Sequence, residues 1–261
     1  MPRVYAFIHS GFKKAAEKAV EWLGRLRYES LFLELPEDFT PYVIGYMDER
    51  LSLDELWRSY EYLTGFKQPY VNALKYGIGS VLKALRELKL KTPEMEVYCY
   101  LDLKYHLDNN RLTEKTVLLE AVERVRNGVK VDEWRNLLTE EHENSMKGWK
   151  RVTETLSELL RLNEENIIFY SGFTRPLKEY LREEGFKFNP IYLQRYWKPP
   201  LEALKTLIWI NGINNIPDDV IVSSIKNQLK YLDHVLSSEN IDEAHEEWTR
   251  ETHRMLQRPI Q

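Results

Sequence analysis

Val4–Trp22 reads VYAFIHSGFKKAAEKAVEW, and Ile167–Leu181 reads IIFYSGFTRPLKEYL. Each stretch is a β-branched and aromatic run, then Ser-Gly-Phe, then an amphipathic stretch with helical spacing. That is the pattern of strand, tight turn and helix in an α/β unit. In open α/β folds the ligand site lies in loops at the carboxyl ends of parallel strands. The pairing therefore predicts that Ser10-Gly11-Phe12 and Ser171-Gly172-Phe173 line one cleft. Taken singly, each Ser-Gly is equally well a cheap turn, with the Phe stapling helix to sheet.

Working outward, the sequence predicts strands at Arg3–Ile8, Ser30–Leu35, Glu96–Asp102 and Asn166–Tyr170, and a weaker one at Pro190–Gln194. All are short and largely apolar, as strands buried on both faces of a parallel sheet should be. Helices are expected at Phe12–Tyr28, at Ser52–Leu63 with a Ser52/Glu55 capping box, and at Val71–Leu90. The span Thr113–Leu162 is helix-rich, broken near Asn127-Gly128, and too long for a simple crossover. It reads as a helical insertion of about residues 107–163, with the character of a lid. Lys198-Pro199-Pro200 then interrupts the chain ahead of helices at Leu201–Ile210, Asp218–Leu236 and Ile241–Leu256. The expected architecture is an α/β domain over residues 1–197, with a mostly parallel sheet flanked by helices. A helical C-terminal extension over 198–261 would pack on it.

The 261 residues carry a net charge of −4 with both signs interspersed. That argues against nucleic acid as the main partner, since such proteins usually carry a basic excess. The one cysteine, Cys99, sits mid-strand and reads as buried and inert. It excludes an internal disulfide and suits a reducing cytoplasm. No apolar run is long enough for a bilayer, and the first ten residues read as a strand rather than a signal peptide. Heavy use of Glu, Lys and Arg fits a thermophile. No phosphate-binding glycine loop, nucleophile elbow or zinc-ligand spacing is present.

Polar residues collect at the predicted strand ends. His9 and Ser10 end the first strand, Glu34 lies in the second, Asp102 ends the third with His106 one turn on, and Tyr170 and Ser171 end the fourth. Parallel strands bring them to one edge, where they could do acid–base work or hold a divalent metal. Glu34 is the sharpest of them, a carboxylate inside Leu31-Phe32-Leu33-Glu34-Leu35. Buried carboxylates are costly without a partner, and perturbed ones gather at functional sites. The alternatives are a structural carboxylate for Glu34 and a satisfied core histidine for His9. Asp102 and His106 at i, i+4 have metal-ligand spacing. Glu243, His245 and His253 read as a solvated helix face, as do Lys83, Arg86, Lys89 and Lys91.

These residues, in this order, resemble the superfamily of TraB, Tiki, ChaN and erythromycin-esterase proteins. The resemblance spans roughly residues 3–195. Its carriers are the strand–loop–helix start, the Leu31–Pro36 strand, the insertion with Glu140-Glu141-His142-Glu143-Asn144-Ser145-Met146, and the late strand–Ser-Gly-Phe–helix. In that superfamily the first and last loops carry Gly-x-x-His, and a Glu ends the second strand. Tiki-like members use these for metal-dependent peptide cleavage. Here Phe12 and Phe173 stand where the motif histidines would be, His142 stands for an Arg, and Glu34 alone is retained. The resemblance therefore implies one of two outcomes. Either catalysis is lost or altered and the cleft binds a small molecule, a peptide or a protein partner, with Ser10, Phe12, His142, Tyr170, Ser171 and Phe173 as contacts. Or a hydrolase site has been rebuilt with Glu34, His9 and Asp102 as its catalytic residues, Glu34 or His9 acting as general base on a water, and Ser10, Ser171 or nearby backbone amides stabilising the oxyanion. The first is favoured, and a divalent metal is not. Exposed aromatic segments, Trp57, Tyr60, Tyr62 and Phe66 or Tyr192, Tyr196 and Trp197, would serve a partner, with ordinary core packing as their other role.

Overall fold

The computed structural model describes residues 2–126 and 128–256, with side chains to residue 252. The chain divides into two compact units, Met1–Leu107 with Lys147–Arg195, and Asp108–Met146 with Tyr196–Gln261. The first is an α/β unit. The division departs from the 197/198 boundary read from the sequence. Part of the insertion and the C-terminal helices group together, while the remainder of the insertion stays with the sheet.

Five strands form the sheet: β1 (Arg3–Ile8), β2 (Ser30–Pro36), β3 (Glu96–Leu101), β4 (Glu165–Tyr170) and β5 (Lys187–Tyr192). Their order is β3-β2-β4-β1-β5, and every pairing is parallel. The largely apolar runs of the central strands follow from burial on both faces. On one face Phe7, Leu31, Leu33, Val97, Ile167 and Phe169 pack against α1 (Lys13–Leu23), α2 (Thr40–Met47), α3 (Leu53–Thr64) and α4 (Gln68–Lys91). On the other, Val4, Ala6, Phe32, Tyr100, Ile168 and Tyr170 pack against the end of α6 (Val131–Leu159) and α7 (Thr174–Glu183). Between the central strands the fully buried Asn166 accepts from the Ser30 hydroxyl and donates to the carbonyls of Leu160 (3.2 Å) and Asn163 (3.0 Å).

This order creates the crevice. The chain leaves β1 toward β2 through α1, and leaves β4 toward β5, in the opposite direction, through α7. Right-handed crossovers running in opposite directions place their helices on opposite faces, as the two cores show. Adjacent parallel strands whose exits diverge open a crevice at their carboxyl ends, the topological switch point. Here β4 lies between β2 and β1, and all three ends meet there.

Helix α3 begins with the expected capping box, the Ser52 side chain accepting from Glu55 N and the Glu55 side chain accepting from Ser52 N. The basic strip on α4 is only partly a solvated face. Arg86 donates to the carbonyls of Tyr46 (2.8 Å) and Leu51, and Lys89 to that of Met95 (2.8 Å). Among the described residues no helix is long and apolar enough to cross a membrane.

The second unit is helical: α5 (Leu103–Arg126) from Asp108 onward, the first half of α6, α8 (Pro200–Asn211), α9 (Asp218–Ser237) and α10 (Ile241–Leu256). Its core is built on Leu112, Trp134, Leu138, Leu204, Ile208, Ile221 and Ile225. Arg135 braces it by donating to the Ile213 and Ile216 carbonyls at 3.0 and 2.9 Å. The expected solvated face of α10 needs correction. Glu243 is exposed, but His245 is buried, its ring stacked on Tyr196 at 4.9 Å. A helix-wheel reading ranks an imidazole with the charged residues, whereas here it packs as an aromatic. The His253 side chain lies outside the described residues.

Candidate functional site at the sheet edge

The Glu34 carboxylate stands at the crevice. Its Oε2 accepts from the Ser171 backbone N–H at 2.9 Å and lies 3.2 Å from His9 Nε2. Both side chains keep some solvent access, 14% for His9 and 20% for Glu34. Three strands thus contribute in spatial order: β2 gives the carboxylate, β4 the amide, β1 the imidazole. No described residue hydrogen-bonds Glu34 Oε1. That oxygen is available to water or a ligand.

The backbone sets the tautomer of His9. Gly11 N–H donates to His9 Nδ1 at 3.1 Å, so in the neutral ring the proton sits on Nε2, beside Glu34. The two groups are at ion-pair distance but off the line of a formed hydrogen bond, and Nε2 is sealed from solvent. With one nitrogen engaged by the backbone and the other facing a carboxylate, His9 has no free lone pair with which to act as a base. It orients Glu34. Phe169 backs its ring edge-to-face at 5.8 Å.

The two Ser-Gly turns use glycine for different reasons. Gly11 has φ +74°, a left-handed conformation that side chains resist. Gly172 lies under the Tyr170 ring, where a Cβ would come within 2.7 Å of it. The Tyr170 hydroxyl donates to the Phe173 carbonyl at 3.1 Å, closing that loop. Ser10 Oγ accepts from Gln194 Nε2 at 2.7 Å. Phe12 and Phe173 are the residues that precede α1 and α7, with extended backbones and no side-chain cap bond; Phe12 is buried. The loop after β1 is also clamped from α4. A Cβ on Gly77 would meet the Gly11 carbonyl oxygen at 2.5 Å. Gly77→Ala is therefore expected to displace the backbone that fixes His9 and to cost about 1–3 kcal/mol, as overpacking does. Denaturant unfolding of the variant checks it.

Asp102 has other partners. It accepts from Tyr105 N at 3.1 Å, capping α5, and lies 3.5 Å from Arg151. His142 belongs to the helical unit, edge-to-face on Trp209 at 6.1 Å. The Ser171 amide that the sequence offers for an oxyanion is spent on Glu34. Cys99 is buried, and burial pushes its thiol up to about 12, so it is inert at neutral pH.

His106, which the sequence paired with Asp102 as a metal ligand, instead meets Tyr60. The Tyr60 hydroxyl lies 2.8 Å from His106 Nε2, and the Phe66 ring lies 5.3 Å from the imidazole. Burial lowers its pKa to about 4, against the opposing pull of Glu34. The unfolded chain takes up this proton near 6.5. Between those values the unfolded state binds more protons, so stability falls as pH drops through the window and levels off below it. We expect the wild type to lose on the order of 2–3 kcal/mol more than His106→Gln between pH 7 and pH 4, measured by urea unfolding at both.

Among the described residues, no group of three or more His, Cys, Asp and Glu side chains is placed to hold a metal ion. No protein-family model matches the chain, and no curated protein or solved structure is similar to it.

Proposed function

We propose that this protein is a divergent TraB/Tiki-like hydrolase whose altered site cleaves an ester or peptide bond by general-base catalysis from Glu34. The observation that carries the reading is the 3.2 Å approach of His9 Nε2 to a Glu34 carboxylate whose other oxygen has no hydrogen-bond partner among the described residues, at the topological switch point. A carboxylate steadied on one oxygen by an imidazole and an amide, and open on the other, has the arrangement of an activated base with its orienting partner.

Glu34 Oε1 would take a proton from water as the water oxygen bonds to the substrate carbonyl carbon. The bond to the leaving oxygen or nitrogen then breaks, and the proton passes from Glu34 to that leaving group. His9 and the Ser171 amide hold Oε2 throughout. The metal of the resembled superfamily does not fit the donors present, because on that resemblance Phe12 and Phe173 stand at the motif-histidine positions, and no three-ligand group is assembled among the described residues. No step passes through it.

The substitution of Phe12 and Phe173 favours a second reading, a cleft that binds a small molecule, a peptide or a protein partner without turning it over. Assays of p-nitrophenyl acetate, longer acyl esters and unstructured peptides with the purified full chain separate the two. Turnover above the uncatalysed rate supports the hydrolase. Saturable binding without turnover replaces it with the second reading.

A further inference from the structure

Resting on that reading of the site, we infer that His106 is its electrophile: a neutral imidazole, fixed by Tyr60 as the Nδ1–H tautomer, that donates a hydrogen bond to the substrate carbonyl oxygen. The argument starts from Tyr60, whose side chain is 1% exposed. A buried hydroxyl proton needs an acceptor, and the acceptor the structure supplies is His106 Nε2 at 2.8 Å. An imidazole that accepts at Nε2 must carry its proton on Nδ1 while neutral. Charging the ring would protonate Nε2 and take from the buried Tyr60 hydroxyl the acceptor for its own proton, so the pairing favours the neutral form.

Placement follows from topology. His106 sits in the first turn of α5, its amide bonded to the Asp102 carbonyl at 3.0 Å, just past the carboxyl end of β3. β3 is the neighbour of β2, which carries Glu34. Tyr60 comes from α3, Phe66 from the turn after it, and Asp102 precedes the helix; the charged group facing the ring from β2 is Glu34. Nδ1 has no hydrogen-bond partner among the described residues and is not sealed from solvent. With the Ser171 amide committed to Glu34, His106 supplies the oxyanion donor that the turn does not. A neutral donor suits this place. A charged imidazolium would pair with Glu34 and quench the base, whereas a neutral N–H stabilises charge that develops only in the transition state.

The test has two readouts on the full chain. Long-range proton–nitrogen correlation spectra of the ¹⁵N-labelled protein at pH 7 and pH 5.5, with the signal assigned by its loss in His106→Asn, should show one neutral Nδ1–H ring at both. Tyr60→Phe should release that preference. In p-nitrophenyl acetate hydrolysis, His106→Leu should lower kcat about 10²–10³-fold, as loss of one oxyanion donor does, with little change in KM. His106→Asn, which keeps an N–H donor, should recover part of it. An Nε2–H or doubly protonated ring at pH 5.5 overturns the inference. So does unchanged kcat in His106→Leu when Glu34→Gln is inactive, which leaves the hydrolase reading standing. Absence of wild-type turnover with the Nδ1–H ring intact instead removes the hydrolase reading, and the substrate contact with it.

Discussion

Phe169→Ala is expected to destabilise the α/β unit by about 3–5 kcal/mol, the range for truncating a fully packed aromatic ring. Phe169 is 2% exposed and makes edge-to-face contacts with Phe7 at 5.4 Å and His9 at 5.8 Å. The cavity left would open at the centre of the sheet, directly beneath the site, because neighbouring strands cannot close a hole of that size without losing their pairing. His9 would lose its backing as well. Catalysis should therefore fall further than stability alone accounts for under conditions where the variant is still folded. Phe169→Leu keeps most of the volume and is expected to cost less than half as much. Because the chain has two compact units, a single unfolding transition is not assured. Native-state hydrogen exchange of the β1 and β4 amides is the measurement that reports on this unit alone.

Glu34→Gln is expected to reduce hydrolysis about 10²–10⁴-fold, the usual contribution of a positioned general base, while the fold persists. The amide side chain is nearly isosteric. Its carbonyl oxygen can still accept from Ser171 N–H, and from His9 in the tautomer that Gly11 imposes. What disappears is the capacity to take a proton from water. Thermal unfolding should shift little, because the wild-type carboxylate makes one hydrogen bond to a backbone amide and one off-line contact with His9, and the amide side chain can keep both. A large rate loss beside a small stability change is the signature of a chemical role. Losses of similar size in both would mark a structural carboxylate.

The central strands were legible because burial on both faces leaves an unmistakable apolar run. β1 begins and ends where its pattern does, and the paired Ser-Gly-Phe turns do lie on adjacent strands, with His9 N bonded to the Tyr170 carbonyl at 3.2 Å. Helix α2 went unread. Thr40–Met47 contains Val43, Ile44 and Gly45, weak helix formers, and tertiary packing overrides propensity there: Val43 and Met47 are buried in the core on that face of the sheet. Helix α5 starts at Leu103 rather than Thr113, because residues 103–112 mix charged and polar side chains without a clear apolar stripe, and its start is set by the Asp102 cap. The strand order, and the switch point with it, depends on long-range pairing that no local window encodes.

At the site, Glu34 announced itself as a charge in an apolar strand. The roles around it did not. The tautomer of His9 rests on a backbone amide two residues on, and the carboxylate's main donor is the backbone of Ser171 rather than its hydroxyl. Tyr60 and His106 are 46 residues apart, with no pattern linking them. The cap that Asp102 gives α5 was not read from the sequence, where the same residue was weighed only as chemistry.

The most direct test of a Glu34-centred base is the ratio of kcat/KM for Glu34→Gln to that of wild type on the best ester or peptide found in the screen, with thermal unfolding of both proteins recorded alongside. The account predicts a ratio of about 10⁻² or lower with nearly superimposed melting curves. A ratio near one, or a wild type that turns over none of these substrates, would contradict it.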